Sequence, residues 1–461
     1  MSKRRSQRRR PTPAKATAPA PRRLSYWLPA ACLLLALGVW VNTGTLAPYG
    51  ATLEKPFVWG PCNYLLNIDH NHFKATFLML DGAPRDQWDF SVVLRRILYP
   101  LLAYPFMKKL GFGGGGLAAN VLLAVASLAL FWRALRRRLG AGPPLALLAL
   151  LATYPGWFYW AGLPYSYAII VPASLLCMAL LWRVETLTTW REALLAGLGL
   201  GVLFTGYDLL PFFGAAAVLL LLWRRLWAPC AVLAAAMLLP TVATAALLWT
   251  VYRVPFRNNN TEAYFQVLKS YLPPIDLHGW WALLKQFPQA VVSNALYSNF
   301  LFLPLLFLLA VLIASRWLPR DSRVFRPAEV SLLIAVALLF LFNNLAPPYP
   351  GWPLRGAWVA RLYQPAVAAM IPMLAYFFTR ASLLPRSPRI AAWAALGLTV
   401  TLQAWVVFAP VLGGARLSGY LYWRFYQHAP RPFYAENLKR YGARPVGFCA
   451  SPPSSVDSTT H

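Results

Sequence analysis

Along this 461-residue chain, long apolar runs alternate with short polar islands. The runs recur at about 17 to 23 residues, the length at which a helix crosses a hydrocarbon core of about 30 Å. They predict spans at Leu24–Leu46, Gly116–Trp132, Pro144–Trp160, Ser166–Trp182, Ala193–Tyr207, Leu209–Trp223, Ala228–Thr250, Asn294–Ser315, Ala328–Leu345, Leu362–Thr379 and Ile390–Leu412. The expected fold class is an all-α polytopic membrane protein with about eleven transmembrane helices. Only 12% of residues are charged, against roughly 25% in soluble domains. The 20 Trp, 22 Tyr and 40 Pro suit interface anchoring and broken helices.

One further stretch, Trp88–Met107, is long enough to span, and its placement decides the topology. If it lies along the surface, Arg133, Arg136, Arg137 and Arg138 fall on the cytoplasmic side with Arg183, Arg191, Arg224, Arg225, Arg316, Arg320, Arg323, Arg326, Arg380, Arg386 and Arg389. Outer loops after the first then hold only Arg253, Arg257, Lys269, Lys285, Arg355 and Arg361. That asymmetry follows the positive-inside bias and selects a surface helix at Phe90–Met107. Pro100, Pro105 and the Arg95–Arg96 pair also fit an interface better than mid-bilayer. Gly113–Gly116 reads as a flexible junction into the second span.

The resulting organisation has three parts. Residues 1–23 form a disordered basic cytoplasmic tail, and 24–412 the transmembrane domain, with a first outer loop over 48–114 carrying surface helices. Residues 413–461 form an outer C-terminal tail. The first apolar run is long and is followed by no small-residue cleavage site, so it reads as an uncleaved anchor with a cytoplasmic N-terminus. The expected location is the inner (plasma) membrane, with the C-terminus periplasmic.

The net charge of +29 changes little. No aromatic-basic module accompanies it, so membrane lipids are the partner it implies and nucleic acid is not. No Walker motif is present, so no nucleotide cofactor is expected. The five cysteines are scattered without CxxC spacing, which argues against a thiolate metal site; Cys62 and Cys449 both fall outside the membrane, where a disulfide between them is open.

Chemistry concentrates in Asn67–Pro100. Of 14 Asp and Glu in the chain, Asp69, Asp81, Asp86 and Asp89 fall here, with His70, His72 and the Arg95–Arg96 pair. A carboxylate flanked by imidazoles at a membrane surface can act as general base or hold a divalent metal. Asp69 capping a short helix is the competing reading. Asp81-Gly82-Ala83-Pro84 reads as a turn, and Asp89 as the N-cap of the surface helix or a second acid. Arg95 and Arg96, placed on that helix, suit a phosphate ligand or a nearby carboxylate. Arg355 and Arg361, outer-side arginines against the topological bias, call for an anionic partner. Asp208 sits between two closely spaced spans, as an intramembrane site or as part of an outer turn.

This arrangement resembles the GT-C superfamily of integral-membrane glycosyltransferases. The resemblance covers most of the chain as architecture. In residues it rests on Asp69, on Leu94-Arg95-Arg96-Ile97-Leu98-Tyr99-Pro100, and on Arg355 and Arg361. It implies transfer of a sugar from a polyprenyl-phosphate donor to a cell-envelope glycan or lipid acceptor. Asp69 matches the catalytic acid, and Arg95, Arg96, Arg355 and Arg361 match where donor phosphate is held. The family's paired-acid signature is absent; that place reads Asp69-His70-Asn71-His72, which leaves a divalent metal at His70, His72 or Asp89 open. Two rivals use the same features: a flippase for lipid-linked saccharides, and a non-catalytic subunit of an envelope complex. Most spans lack mid-bilayer ionisable residues, which favours surface chemistry over transport.

Overall fold

The computed structural model describes residues 27–43, 75–88, 94, 96–139, 145–161, 166–254, 302–319, 326–345 and 357–408. These are helical, with no strand among the described residues. In chain order the helices are α1 (Trp27–Thr43), α2 (Leu98–Leu110), α3 (Phe112–Leu139), α4 (Leu145–Ala152), α5 (Pro155–Ala161), α6 (Ile170–Glu185), α7 (Trp190–Phe204), α8 (Pro211–Trp223), α9 (Trp227–Thr250), α10 (Phe302–Trp317), α11 (Pro327–Leu345), α12 (Ala357–Thr379) and α13 (Arg386–Phe408). Four stretches are long and apolar enough to cross a membrane: Phe112–Leu139, Ser166–Glu185, Trp227–Thr250 and Arg386–Phe408. The apolar helices α1, α8 and α10 are shorter, at 17, 13 and 16 residues.

One contiguous apolar core runs from Ala31 and Leu35 of α1 to Leu396 and Val407 of α13. The outer faces are apolar too: Leu33, Leu195, Leu238 and Leu398 are all exposed. Exposed Trp190, Trp223 and Trp227 mark one end of the bundle, and exposed Trp40, Trp249 and Trp405 the ends of helices running away from it. An apolar belt between tryptophan levels is the surface that a bilayer selects.

The helix ends sort into two poles. Arg138 at the end of α3 meets Glu185 at the end of α6 and Glu329 at the start of α11. Arg224, just past α8, donates to the Glu185 carbonyl at 2.6 Å. Arg326 and Arg380 both face the Tyr376 ring of α12. The arginine-rich ends predicted to share one side are therefore together.

Three sequence expectations are corrected. The surface helix begins at Leu98, not Phe90: Leu94 lies in a turn and Arg96 and Ile97 precede the helix. Pro100 fits the late start. It lacks an N–H and sits in the first turn, where that donor has no intrahelical partner, whereas the same helix carries Pro105 in its interior. Ile97 occupies the N-cap without a side-chain bond, and Asp89 lies outside the described residues.

The glycine run is not a junction either. The chain breaks at Gly111, with φ +78°, and Gly113–Gly116 already belong to α3. A Cβ on Gly115 would stand 2.3 Å from the Met107 backbone, so this glycine lets α2 fold back against α3 in direct backbone contact. Finally, the span expected at Pro144–Trp160 is split into α4 and α5. Pro155 has no N–H to give the Leu151 carbonyl, which accepts from the Tyr154 N–H at 3.2 Å instead, and α4 stops there.

Small residues fix another contact. Gly197 and Gly201, one helical turn apart on α7, would place a Cβ 2.7 Å from Leu233 O and 2.4 Å from Met237 O of α9. That is close small-residue packing of the kind helices use inside lipid.

Candidate functional site

At the pole opposite the arginine-rich ends, the first loop packs on the end of α9. The helical turn over 75–80 stops in a Schellman-type cap: Ala83 N–H donates to Leu78 O and Gly82 N–H to Met79 O, with Gly82 at φ +76°. This is the turn predicted at Asp81–Pro84. Asp81 Oδ1 accepts from Tyr104 Oη at 2.9 Å and pairs with Lys108, tying the turn to α2. The Lys108 bond, then the Tyr104 bond, hold the Asp81 carboxyl below the usual aspartate range. Trp88 donates from Nε1 to Ala83 O at 2.8 Å and meets Tyr252 edge-on. Met79, Trp88, Leu94 and Ile97 form a small core with Leu248 and Val254.

This packing positions Arg96. Ile97 is buried in the small core, and Leu98 N–H donates to Thr205 O at 3.4 Å at the end of α7. Immediately before these anchors the Arg96 side chain turns into the bundle and reaches Asp208. Nη2 donates to Oδ2 at 2.5 Å and Nε to the same oxygen at 3.2 Å. The arginine side chain is 7% exposed and the aspartate 26%. The guanidinium carbon lies 5.0 Å from the Tyr207 ring centre and 5.7 Å from that of Tyr167. The two rings meet edge-on at 6.2 Å. Burial disfavours the charged guanidinium, but Asp208, Tyr167 and Tyr207 outweigh it, so Arg96 is held above its ordinary range and stays a cation. Its Nη1 is buried with no hydrogen-bond partner among the described residues. Ser166, at the start of the short turn carrying Tyr167, likewise has a buried hydroxyl with none.

Of the predicted site, only Arg96 is described with its side chain. Asp69, His70, His72, Asp89, Arg95 and Arg355 lie outside the described residues, and Arg361 is placed by its backbone alone, in the first half of α12. No group of three His, Cys, Asp or Glu converges among the described residues. Arg96 is not on the surface helix, as expected, but just before it. Of its two predicted partners, a carboxylate stands beside it, and it is that of Asp208. The tyrosines were missed entirely. The Gly206-Tyr207-Asp208 turn was legible as a polar point between spans, yet nothing in the sequence linked it to Arg96.

No protein-family model matches this chain, and no curated protein matches it. Among solved structures it is similar to ArnT from Cupriavidus metallidurans bound to undecaprenyl phosphate, at 15% identity and a TM-score of 0.46. The match covers 89% of this chain and 67% of that one. A likeness this distant carries no functional inference. The described residues define an all-helical membrane protein with a buried cation–carboxylate–tyrosine centre at one pole.

Proposed function

We propose that this chain is an integral-membrane glycosyltransferase of the GT-C kind, with about eleven spans. It moves a sugar from a polyprenyl-phosphate donor to a cell-envelope glycan or lipid acceptor at the outer face of the inner membrane. The observation that carries this reading is Arg96. One of four cations expected at a donor phosphate is buried at the pole opposite the arginine-rich ends, and its Nη1 has no partner among the described residues. A buried guanidinium oriented on one edge by a carboxylate has its other edge available to a phosphate oxygen.

In this reading Asp208 and the two tyrosines set the guanidinium plane. Arg96, Arg355 and, from the start of α12, Arg361 neutralise the donor phosphate. Asp69 takes the proton from an acceptor hydroxyl, whose oxygen forms the new bond to the anomeric carbon. The bond from that carbon to the phosphate oxygen breaks on the opposite face, and its electron pair stays on the phosphate. Charge grows on the leaving phosphate as the bond lengthens, so cations already fixed in place stabilise the transition state more than the ground state.

The test is transfer by the purified chain in detergent from a polyprenyl-phosphate sugar. Asp69→Asn and Arg361→Ala are expected to lose at least a hundredfold in turnover, on the order of one oxyanion-type contact. Full activity in both variants at normal expression overturns the site. Absence of any turnover in detergent, with lipid-linked saccharide moving across vesicles, establishes the flippase instead.

A further inference from the structure

The arginine-rich pole holds a groove that the proposed transfer chemistry does not use. It is a cavity of about 710 Å³ between the start of α1 and the end of α3, within the roughly 300–1,000 Å³ range of small-molecule sites. Its walls are apolar, from Leu28, Pro29 and Cys32 on one side and Ala129 and Trp132 on the other. Its rim is Arg133, Arg136 and Arg137. At i, i+3 and i+4 these three share one face of α3.

The charge in this groove is unbalanced. Among the described residues none of the three arginines has an ion-pair partner, and no acid lines the cavity. The described acids are committed elsewhere: Asp81 to Lys108, Glu192 to Arg183, Asp208 to Arg96, and Glu185 and Glu329 to Arg138. Asp86 sits at the opposite pole, in the first loop. Arg138, the next residue along α3, shows what an arginine here does when acids are in reach; it turns inward and is 6% exposed. Its three neighbours remain exposed. Three clustered guanidiniums above an apolar trough match a molecule with a phosphate head and a hydrocarbon tail.

We propose that this groove binds one anionic phospholipid, its phosphate on Arg133, Arg136 and Arg137 and an acyl chain along the α1–α3 trough. The site is independent of the transferase reading. The lipid would fill the groove beside the direct contact of α1 with α3.

Native mass spectrometry of the full chain with phosphatidylglycerol tests it. Wild-type protein is expected to retain one equivalent in preference to phosphatidylcholine. R133Q/R136Q/R137Q is expected to weaken retention at least tenfold. Ala129→Trp, which fills the trough and keeps all three charges, is expected to do the same. Cys32, half-buried in the groove wall, gives a local readout: in a Cys62→Ser, Cys449→Ser background, phosphatidylglycerol should slow its alkylation by maleimide. Equal loss of lipid in the charge-matched control R191Q/R386Q/R389Q overturns a defined site in favour of a diffuse basic surface. Unchanged retention in Ala129→Trp also overturns it. Displacement by a polyprenyl phosphate at equal concentration overturns the phospholipid assignment.

Discussion

Arg96 and Asp208 stand 112 positions apart in the chain and meet at 2.5 Å, guanidinium Nη2 to carboxylate Oδ2. This contact joins the first polar loop to the α7–α8 turn. Removing one member breaks a largely buried ion pair, which costs about 3 kcal/mol. Asp208→Asn and Arg96→Met should each destabilise the detergent-solubilised protein by about that amount, and the double variant by less than the sum. A double-mutant cycle on chemical unfolding checks this. If transfer depends on the fixed guanidinium, Arg96→Lys keeps the charge and still loses turnover, because an ammonium cannot hold the carboxylate and a phosphate on two planar edges.

The opposite pole has a tighter knot. Glu329 is fully buried and accepts from Arg138 Nη2 at 3.0 Å, Trp182 Nε1 at 2.9 Å and the Arg326 N–H at 3.2 Å. Glu329→Ala strands the Trp182 and Arg326 donors and leaves Arg138 with Glu185 alone, and is expected to cost about 3 kcal/mol. Glu185→Gln should cost less, because Arg138 keeps Glu329. Thermal unfolding of the two variants in the same detergent gives the order.

Two glycines should respond in opposite directions to alanine. At Gly201 the new methyl would collide with the Met237 carbonyl at 2.4 Å, so Gly201→Ala is expected to destabilise by about 1–3 kcal/mol. At Gly397, inside α13, nothing lies within 4 Å, so Gly397→Ala should stabilise by about 0.5–1 kcal/mol through helix propensity. Melting temperatures of the pair, measured side by side, decide the matter by sign.

The Asp81 pair gives a pH signature. Its folded carboxyl titrates below the ordinary aspartate value of 3.8 because Lys108 and Tyr104 bond the charged form. The contribution is therefore fully present above that value and is lost as pH falls through the lower folded one. The difference in melting temperature between wild type and Asp81→Asn should be constant above about pH 5 and shrink below the ordinary value. A Lys108→Met background should reduce the difference at every pH.

The membrane class was readable because lipid imposes a length and an apolar surface on each helix, and both are local properties of sequence. The arginine asymmetry was readable for the same reason, and the helix ends carrying Arg138, Arg224, Arg326 and Arg380 do gather at one pole. Breaks were less legible. Pro155 and Pro100 carry the signal for where α4 stops and α2 starts, yet hydrophobicity averaged over a window conceals a single missing N–H. Gly113–Gly116 looked like a hinge because composition alone cannot distinguish a glycine that frees the backbone from one that lets another helix approach.

By itself, then, the order of residues determined that the chain lives in a bilayer, which helix ends share a side, and that Arg96 and Asp208 are polar points away from them. Only the folded arrangement decided that Arg96 belongs to Asp208, that Tyr167 and Tyr207 enclose it, and that Arg138 takes the acids while Arg133, Arg136 and Arg137 keep an open groove. The physical reason is range. Hydrophobic length is felt within one helix, whereas a buried charge finds its partner across the bundle, wherever packing brings the two within a hydrogen bond.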